Sequence, residues 1–289
     1  MGIGASDIQL VGRLQRDGYF HAGRVIVEIG AQQLSNDLLR APNILEECGA
    51  AFGVGSYQRQ LASAPRVVHG DLEELSSEAP FSKELWEWLG FSYNAVDLDG
   101  SPGAIPLDLN VDGVPNDMRK RATLVTNYGT TEHIANQLNA FKVIHDLTAE
   151  GGVMTHHLPA QGYLMHGLVN YNPKFFWALS AANGYKWLYA RFTQSPISYP
   201  LPPDVVGEFQ KYDDKAQELG ATMTFRDSGI QLALQKPYDF EFVPPIDVPT
   251  GAEASNAVLR ERYWTVFNKP EFHGQIEKIE EERARRRQP

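Results

Sequence analysis

The side chains best suited to chemistry crowd into Thr126-Asn-Tyr-Gly-Thr-Thr-Glu-His-Ile134. An amide, a phenol, a carboxylate and an imidazole (Asn127, Tyr128, Glu132 and His133) fall within seven positions. His133 could take a proton near neutral pH, and Glu132 beside it could act as a second acid or base. The alternative is structural: in the first turn of a helix a carboxylate complements the helix dipole. An apolar run, Ala122 to Thr126, precedes the stretch, and Ile134, Leu138, Phe141, Ile144 and Leu147 follow it. Their spacing predicts a helix from about Thr131 to Ala149, ended by Gly151-Gly152. A strand exit that feeds a helix is where open α/β sheets bind ligands.

A second polar cluster runs from His156 to Asn172, after an expected strand Val153 to Leu158. So much His, Tyr, Asn and Gln in one loop reads as the wall of a substrate site, with His157, His166, Tyr171 and Asn172 as candidates. For the aromatic ones, packing is the alternative. His156 and His157 point to opposite faces of a strand and make a poor metal pair, so no metal site is expected. The one cysteine, Cys48, rules out a disulfide within the chain and reads as an ordinary buried thiol at a helix end.

Earlier strand ends carry further candidates. The first strand, Val25 to Gly30, runs out through Glu28-Ile-Gly-Ala-Gln32. Gly30 would let backbone approach a ligand. A dinucleotide fingerprint needs two more glycines, where this chain has Gln32 and Ser35, so NAD and FAD are not expected. Asp97 closes the strand that starts at Tyr93, and an acid there can accept from both hydroxyls of a ribose. Asp99, before Gly100, reads as a turn residue. At the end of a short third strand, Asp108 beside Leu109 suits an exocyclic amine and the face of an adenine; an Asx turn is the alternative.

The elements that must hold these residues alternate. Helices are expected over Ser35 to Phe52 (broken at Pro42), Glu84 to Leu89 and Pro173 to Ala182. The alternation predicts a doubly wound α/β fold with a seven-stranded, mostly parallel sheet. Strands Tyr185 to Phe192 and Gly229 to Gln235 lack a clear helix between them and suggest an antiparallel edge. A single domain over 1–289 is expected, with a charged, solvated tail over 271–289. Gly30 and Asp97 stand 67 positions apart, where about 20 suffice in a dinucleotide fold. Residues 35–92 are therefore expected to hold a helical insertion or cap.

At 43% hydrophobic and 21% charged residues the chain can bury a core. A net charge of -10 argues against a nucleic-acid partner. No apolar run reaches the ~20 residues of a membrane span, and the first residues do not form a secretory signal. A cytoplasmic protein with a small-molecule partner is expected, and a homo-oligomer is left open.

Together, Glu28-Ile-Gly30, Asp97, Asp108 and the Thr126 to His133 stretch resemble the class I S-adenosylmethionine-dependent methyltransferases, over roughly Arg24 to Gln235. Asn127-Tyr-Gly-Thr-Thr-Glu-His133, with Phe141-Lys-Val-Ile-His-Asp-Leu147 and Gly151-Gly152, is similar to bacterial methyltransferases of glycan and small-metabolite pathways. The resemblance implies a Rossmann-like fold and S-adenosyl-L-methionine as cofactor. It implies that Glu28, Gly30 and Gln32 hold the methionine part, Asp97 the ribose, and Asp108 and Leu109 the adenine. Asn127 would face the sulfonium and the acceptor, and Tyr128 and Tyr171 could approach the sulfonium by cation–π attraction. The glycine loop of the family is reduced here to Gly30. The expected reaction is methyl transfer to a sugar or amino-acid-derived acceptor, with His133, Glu132 and Tyr128 as catalytic candidates. Two alternatives stand beside it. One is attack on another sulfonium carbon, by aminocarboxypropyl transfer or cyclisation that releases methylthioadenosine. The other is a non-catalytic binding domain on the same fold.

Overall fold

The computed structural model describes residues 2–20, 23–57, 67–69, 72–74, 79–99, 101, 103–163, 166–200 and 224–246. The tail expected over 271–289 lies outside them. The first helix, α1 (Ala5–Arg16), precedes β1 (Val25–Ile29). Then follow α2 (Asn36–Leu39), α3 (Pro42–Phe52), β2 (Val67–His69), β3 (Leu72–Glu74) and α4 (Lys83–Trp88). Next come β4 (Ser92–Asp97), β5 (Ala104–Pro106), β6 (Ala122–Tyr128), a 3-10 turn (Thr131–His133), α5 (Gln137–Leu147) and β7 (Thr148–Gln161). The last described elements are α6 (Pro173–Asn183), β8 (Lys186–Pro200) and β9 (Thr224–Gln235).

Seven strands form one sheet in the order β5-β4-β1-β6-β7-β9-β8, while β2 and β3 make a separate antiparallel ladder. β5, β4, β1, β6 and β7 run parallel. The expected antiparallel edge is the β9–β8 pair: β9 runs against both β7 and β8. From β1 the chain winds to β4 and β5 on one side, then returns to β6 and β7 on the other. The crevice at the carboxyl ends of β1 and β6 is thus the topological switch point, where such sheets take ligands.

Alternation along the strands sorts the core onto two faces. Val27 and Ile29 of β1 pack with Val125, Phe141, Ile144 and Phe176, under α5 and α6. Ile26, Leu124 and Val153 pack on the other face with Ile8, Val11 and Leu14 of α1, Leu45 of α3 and Trp86 of α4. Helix ends follow local chemistry. Pro42 and Pro173 occupy first-turn positions, where a missing N–H costs nothing. Gly53 and Gly184 close the same helices at φ 71° and 66°.

One expectation needs correction. The helix read over Thr131 to Ala149 is two pieces, because side chains take over its backbone hydrogen bonds. Gln137 Nε2 donates to the Thr131 and Ile134 carbonyls (2.6 and 2.5 Å), and the Asn136 side chain accepts from Asn139 N to start α5. Ile134, at ψ 125°, is extended, so His133 lies on an isolated 3-10 turn rather than in an α-helix. Thr148 and Ala149 belong to β7.

Candidate functional site

The loop after β1 is braced from below and from the side. Gly30 has φ +78°, and its N–H donates to the Val96 carbonyl at 2.8 Å. A Cβ here would stand 2.4 Å from Thr130 Oγ1, so glycine is required by the approach of the β6 loop. The Thr130 hydroxyl donates to the Ile29 carbonyl (2.7 Å) and accepts from Gln32 Nε2 (3.1 Å). Gln32 therefore ties the exit of β1 to that of β6 instead of pointing outward. Glu28 is fully buried beneath it, and its carboxylate accepts from Gln32 N, Ser82 Oγ, Trp86 Nε1 and Tyr93 Oη at 2.6–3.1 Å. Burial pushes this carboxyl up to about 7, against the pull of those hydrogen bonds. The structure places Glu28 as an internal brace of the loop.

Asp97 stands at the rim. Its Oδ2 accepts from Ala31 N at 2.9 Å and its Oδ1 from Leu98 N at 2.7 Å, so it joins the exits of β4 and β1. It is part-exposed and keeps lone pairs for further donors. Asp108 Oδ1 accepts from both the backbone N and the side-chain Nδ2 of Asn110 (2.8 and 3.0 Å), the Asx-turn alternative in geometry. Leu109 turns into the core, 5% exposed, away from the rim. Asn110 then meets Asn136, accepting from its backbone N (3.1 Å) and its Nδ2 (2.8 Å), which docks the β5 loop onto the start of α5.

The exit of β6 sends its side chains in two directions. Asn127 is buried on the α5 side; its Nδ2 reaches Thr131 Oγ1 (2.9 Å) and His156 Nδ1 (3.2 Å). Tyr171 Oη lies 2.8 Å from the same Thr131 oxygen and donates to Gln137 Oε1 at 2.6 Å. With 2% exposure, Tyr171 is a brace behind the 3-10 turn rather than a wall. Tyr128 turns the other way, buried on the α1 face with its hydroxyl 2.8 Å from Thr155 Oγ1. His157 shares that side, between Asp7 Oδ1 (2.9 Å) and Thr193 Oγ1 (3.0 Å). Burial pulls the His157 imidazole down, and the Asp7 carboxylate more than offsets it, leaving it raised. Asn172 caps α6, its side chain accepting from Lys174 N at 2.9 Å. None of the side chains of Tyr128, His157 and Asn172 has its hydrogen-bond partner among Glu132 and His133; their partners are Thr155, Asp7 and Thr193, and Lys174.

His166 approaches the turn that carries Glu132 and His133. The loop after β7 folds back so that Leu168 N and Val169 N donate to the Glu132 carbonyl (2.8 and 3.2 Å). The contact is close enough that a Cβ on Gly167 would stand 2.9 Å from Glu132 Cγ. The His133 and His166 rings then meet edge to face, with centroids 5.0 Å apart, beside a Glu132 carboxylate that is 0% exposed. Among the described residues neither Glu132 oxygen accepts a hydrogen bond, and burial pushes its carboxyl up to about 7. Both imidazoles are held below their usual range by partial burial and are neutral at pH 7.

Sequence reasoning passed over Asp7, Thr130, Thr131 and Gln137, which fix these loops. Thr130 and Thr131 lie inside the very stretch that drew attention, and their hydroxyls were the available signal. A cleft of about 230 Å³ lined by Arg13, Arg16, Glu47 and Tyr189 opens between α1, α3 and β8, and it shares no residue with the strand exits.

No family model and no curated protein matches the chain. Among solved structures, the YcgJ protein of Bacillus subtilis is similar at 9% identity, with 80% of this chain and 99% of that one covered and a TM-score of 0.38. The [4+2]-cyclase SpnF matches at 10% identity, 80% and 81% coverage, and 0.37. A geranyl diphosphate methyltransferase solved with S-adenosylmethionine matches at 9%, 80% and 90%, and 0.34. Superpositions this loose say nothing about substrate or chemistry.

Proposed function

We propose that this chain is an S-adenosylmethionine-dependent methyltransferase with a small-molecule acceptor. One observation carries the reading: at the switch point of the sheet, Gly30 and Asp97 are locked side by side through the Ala31 N to Asp97 Oδ2 bond (2.9 Å). This happens one strand away from the turn holding Glu132 and His133. The residues fit an adenosyl group. Asp97 keeps acceptor capacity at the rim for a pair of ribose hydroxyls, and Asp108 is part-exposed at the next strand end for an amine. Bound there, the cofactor would supply an already activated methyl on a sulfonium.

The chain's own task is to position the acceptor and handle its proton. His133 suits the second role. It is half exposed, and partial burial keeps it neutral, so its Nε2 can accept a proton at pH 7. Glu132, Tyr171 and Asn127 hold the turn on which it sits. Asp97→Ala is expected to weaken binding of S-adenosylhomocysteine by about 10- to 100-fold, the loss of one or two charge-assisted hydrogen bonds. His133→Ala is expected to keep that binding and lose at least 10²-fold in turnover; an unchanged rate would remove His133 from the chemistry. Mass spectrometry of the nucleoside product separates S-adenosylhomocysteine from the methylthioadenosine of the alternative reactions.

One observation favours the non-catalytic alternative. The space that Gly30 leaves open is taken by Thr130 and Gln32 of the same chain. A melting scan decides: a ligand at 100 times its Kd adds about 2.7 kcal/mol, and no shift with S-adenosylmethionine would leave a binding domain of another kind.

A further inference from the structure

We propose that Glu132, His133 and His166 bind a divalent transition-metal ion of the zinc class, with at least one coordination position left open toward the strand exits. The donor set is two imidazoles and one carboxylate. Glu132 Oε1 lies 3.9 Å from His133 Nε2 and 3.7 Å from His166 Nε2, and all three ligand atoms fall within 4.8 Å of one another. A tetrahedral zinc site, with bonds near 2.0–2.1 Å, holds its donors about 3.4 Å apart. The two separations from Glu132 close on an ion by shifts of a few tenths of an ångström, and the one between the imidazoles, at most 4.8 Å, by about 1.4 Å or less. The imidazoles can make them, being 45% and 34% exposed.

The buried carboxylate points to the ion independently. Glu132 is 0% exposed, and neither oxygen has a hydrogen-bond donor among the described residues. A carboxylate so placed either takes up a proton or is compensated by a cation. The frame is also built for it: Gly167 admits the loop against Glu132, and two backbone N–H groups bind the Glu132 carbonyl, which together hold His166 beside the carboxylate. Nitrogen-rich, three-ligand sites with an open position select zinc, iron(II) and their neighbours over magnesium and calcium. The open position takes water or an oxygen of a bound molecule, and His133, once a ligand through Nε2, no longer has the lone pair to serve as the base.

The test uses the full chain, untagged and stripped with chelator. Zn²⁺ is titrated by calorimetry and Co²⁺ by visible absorption, both without nucleoside cofactor, with Mg²⁺ and Ca²⁺ as separate arms. The expected result is one Zn²⁺ per chain, a Co²⁺ spectrum, and at least tenfold weaker binding in His133→Ala and in His166→Ala. His166 lies in a part-exposed loop, so melting temperature in chelator checks that its variant still folds; Glu132→Gln, nearly isosteric, gives the third ligand if it does not. Equal Zn²⁺ affinity in the wild type and the variants overturns the proposal. So does the absence of stoichiometric binding, or a preference for Mg²⁺ or Ca²⁺. Binding of S-adenosylhomocysteine is measured separately, so metal without nucleoside, or nucleoside without metal, shows which of the two readings has failed.

Discussion

His156 has one ring nitrogen opposite Asn127 Nδ2 and the other without a hydrogen-bond partner among the described residues, at 1% exposure. Burial holds its pKa down to about 3, from an ordinary 6.5. The sign follows directly. Below pH 6.5 the unfolded chain takes a proton here that the folded chain refuses, so this contribution to stability is present above 6.5 and is lost as pH falls toward 3. The loss amounts to about 1.4 kcal/mol per pH unit for one group. Urea unfolding of the wild type and of His156→Gln between pH 7.5 and about 4.5 checks it. The stability difference between the two should be flat above pH 7 and shift in favour of the variant as pH drops below 6. A difference that stays constant with pH would mean that the imidazole takes up its proton in the folded state.

At the level of elements, Lys236 is the unusual side chain. It is 0% exposed just after β9, and its Nζ donates to the carbonyls of His145 and Thr148, both at 3.1 Å, at the end of α5. A cation there satisfies carbonyls the helix leaves open and meets the negative end of its dipole. Asp239 Oδ1, 3.4 Å away, supplies the countercharge, while burial holds the ammonium below its usual range. Lys236→Met keeps the length and removes the donors. It is expected to lower unfolding free energy by about 1–3 kcal/mol in denaturant melts. An unchanged midpoint would assign those carbonyls to other donors.

The same scale shows what could be read from residues alone. β1, β4 and β6 announced themselves, because β-branched and apolar runs that stop at Gly30, Asp97 and Thr126 have few other readings, although β6 runs on to Tyr128. Pro42 and Pro173 marked first turns for the same reason: the ring fixes φ and lacks the N–H. The break before α5 was not legible, since Ile134 fits the helical spacing and only the reach of Gln137 into the Thr131 and Ile134 carbonyls undoes it. Nor was α1, although Ile8, Val11 and Leu14 recur at three-residue intervals. The meeting of His166 with Glu132 was hidden most deeply. It depends on a loop returning 36 and 37 positions later, at Leu168 and Val169, onto the Glu132 carbonyl, and no local spacing encodes that.

For the molecule as a whole, α1 covers one face of the sheet. Ile8, Leu10, Val11 and Leu14 are buried, at 0–4% exposure. Asp7, also buried, accepts from Gln231 Nε2 of β9 (2.6 Å) and pairs with His157 of β7 (2.9 Å). At about 1.5–3 kcal/mol per buried aliphatic side chain, this helix contributes on the order of 6–12 kcal/mol, comparable to the whole stability of a typical domain. A chain lacking residues 2–17 is therefore expected to lose its cooperative melt and to expose apolar surface to a dye such as ANS. A cooperative transition in that truncation would show that the sheet carries the fold without its cover.

The reversed strand β9 lies between β7 and β8, though it comes last of the three. On a ribosome, β8 is complete at Pro200, while the strand that joins it to the sheet ends at Gln235. At about 5–20 residues per second, the 74 positions from Gln161 to Gln235 keep the outer margin of β7 waiting roughly 4–15 s for its neighbour. For that interval a long apolar strand stands with an open ladder, the state in which nascent chains stick to one another. Protection by a chaperone matters most in that window, which closes with the synthesis of residues 224–235.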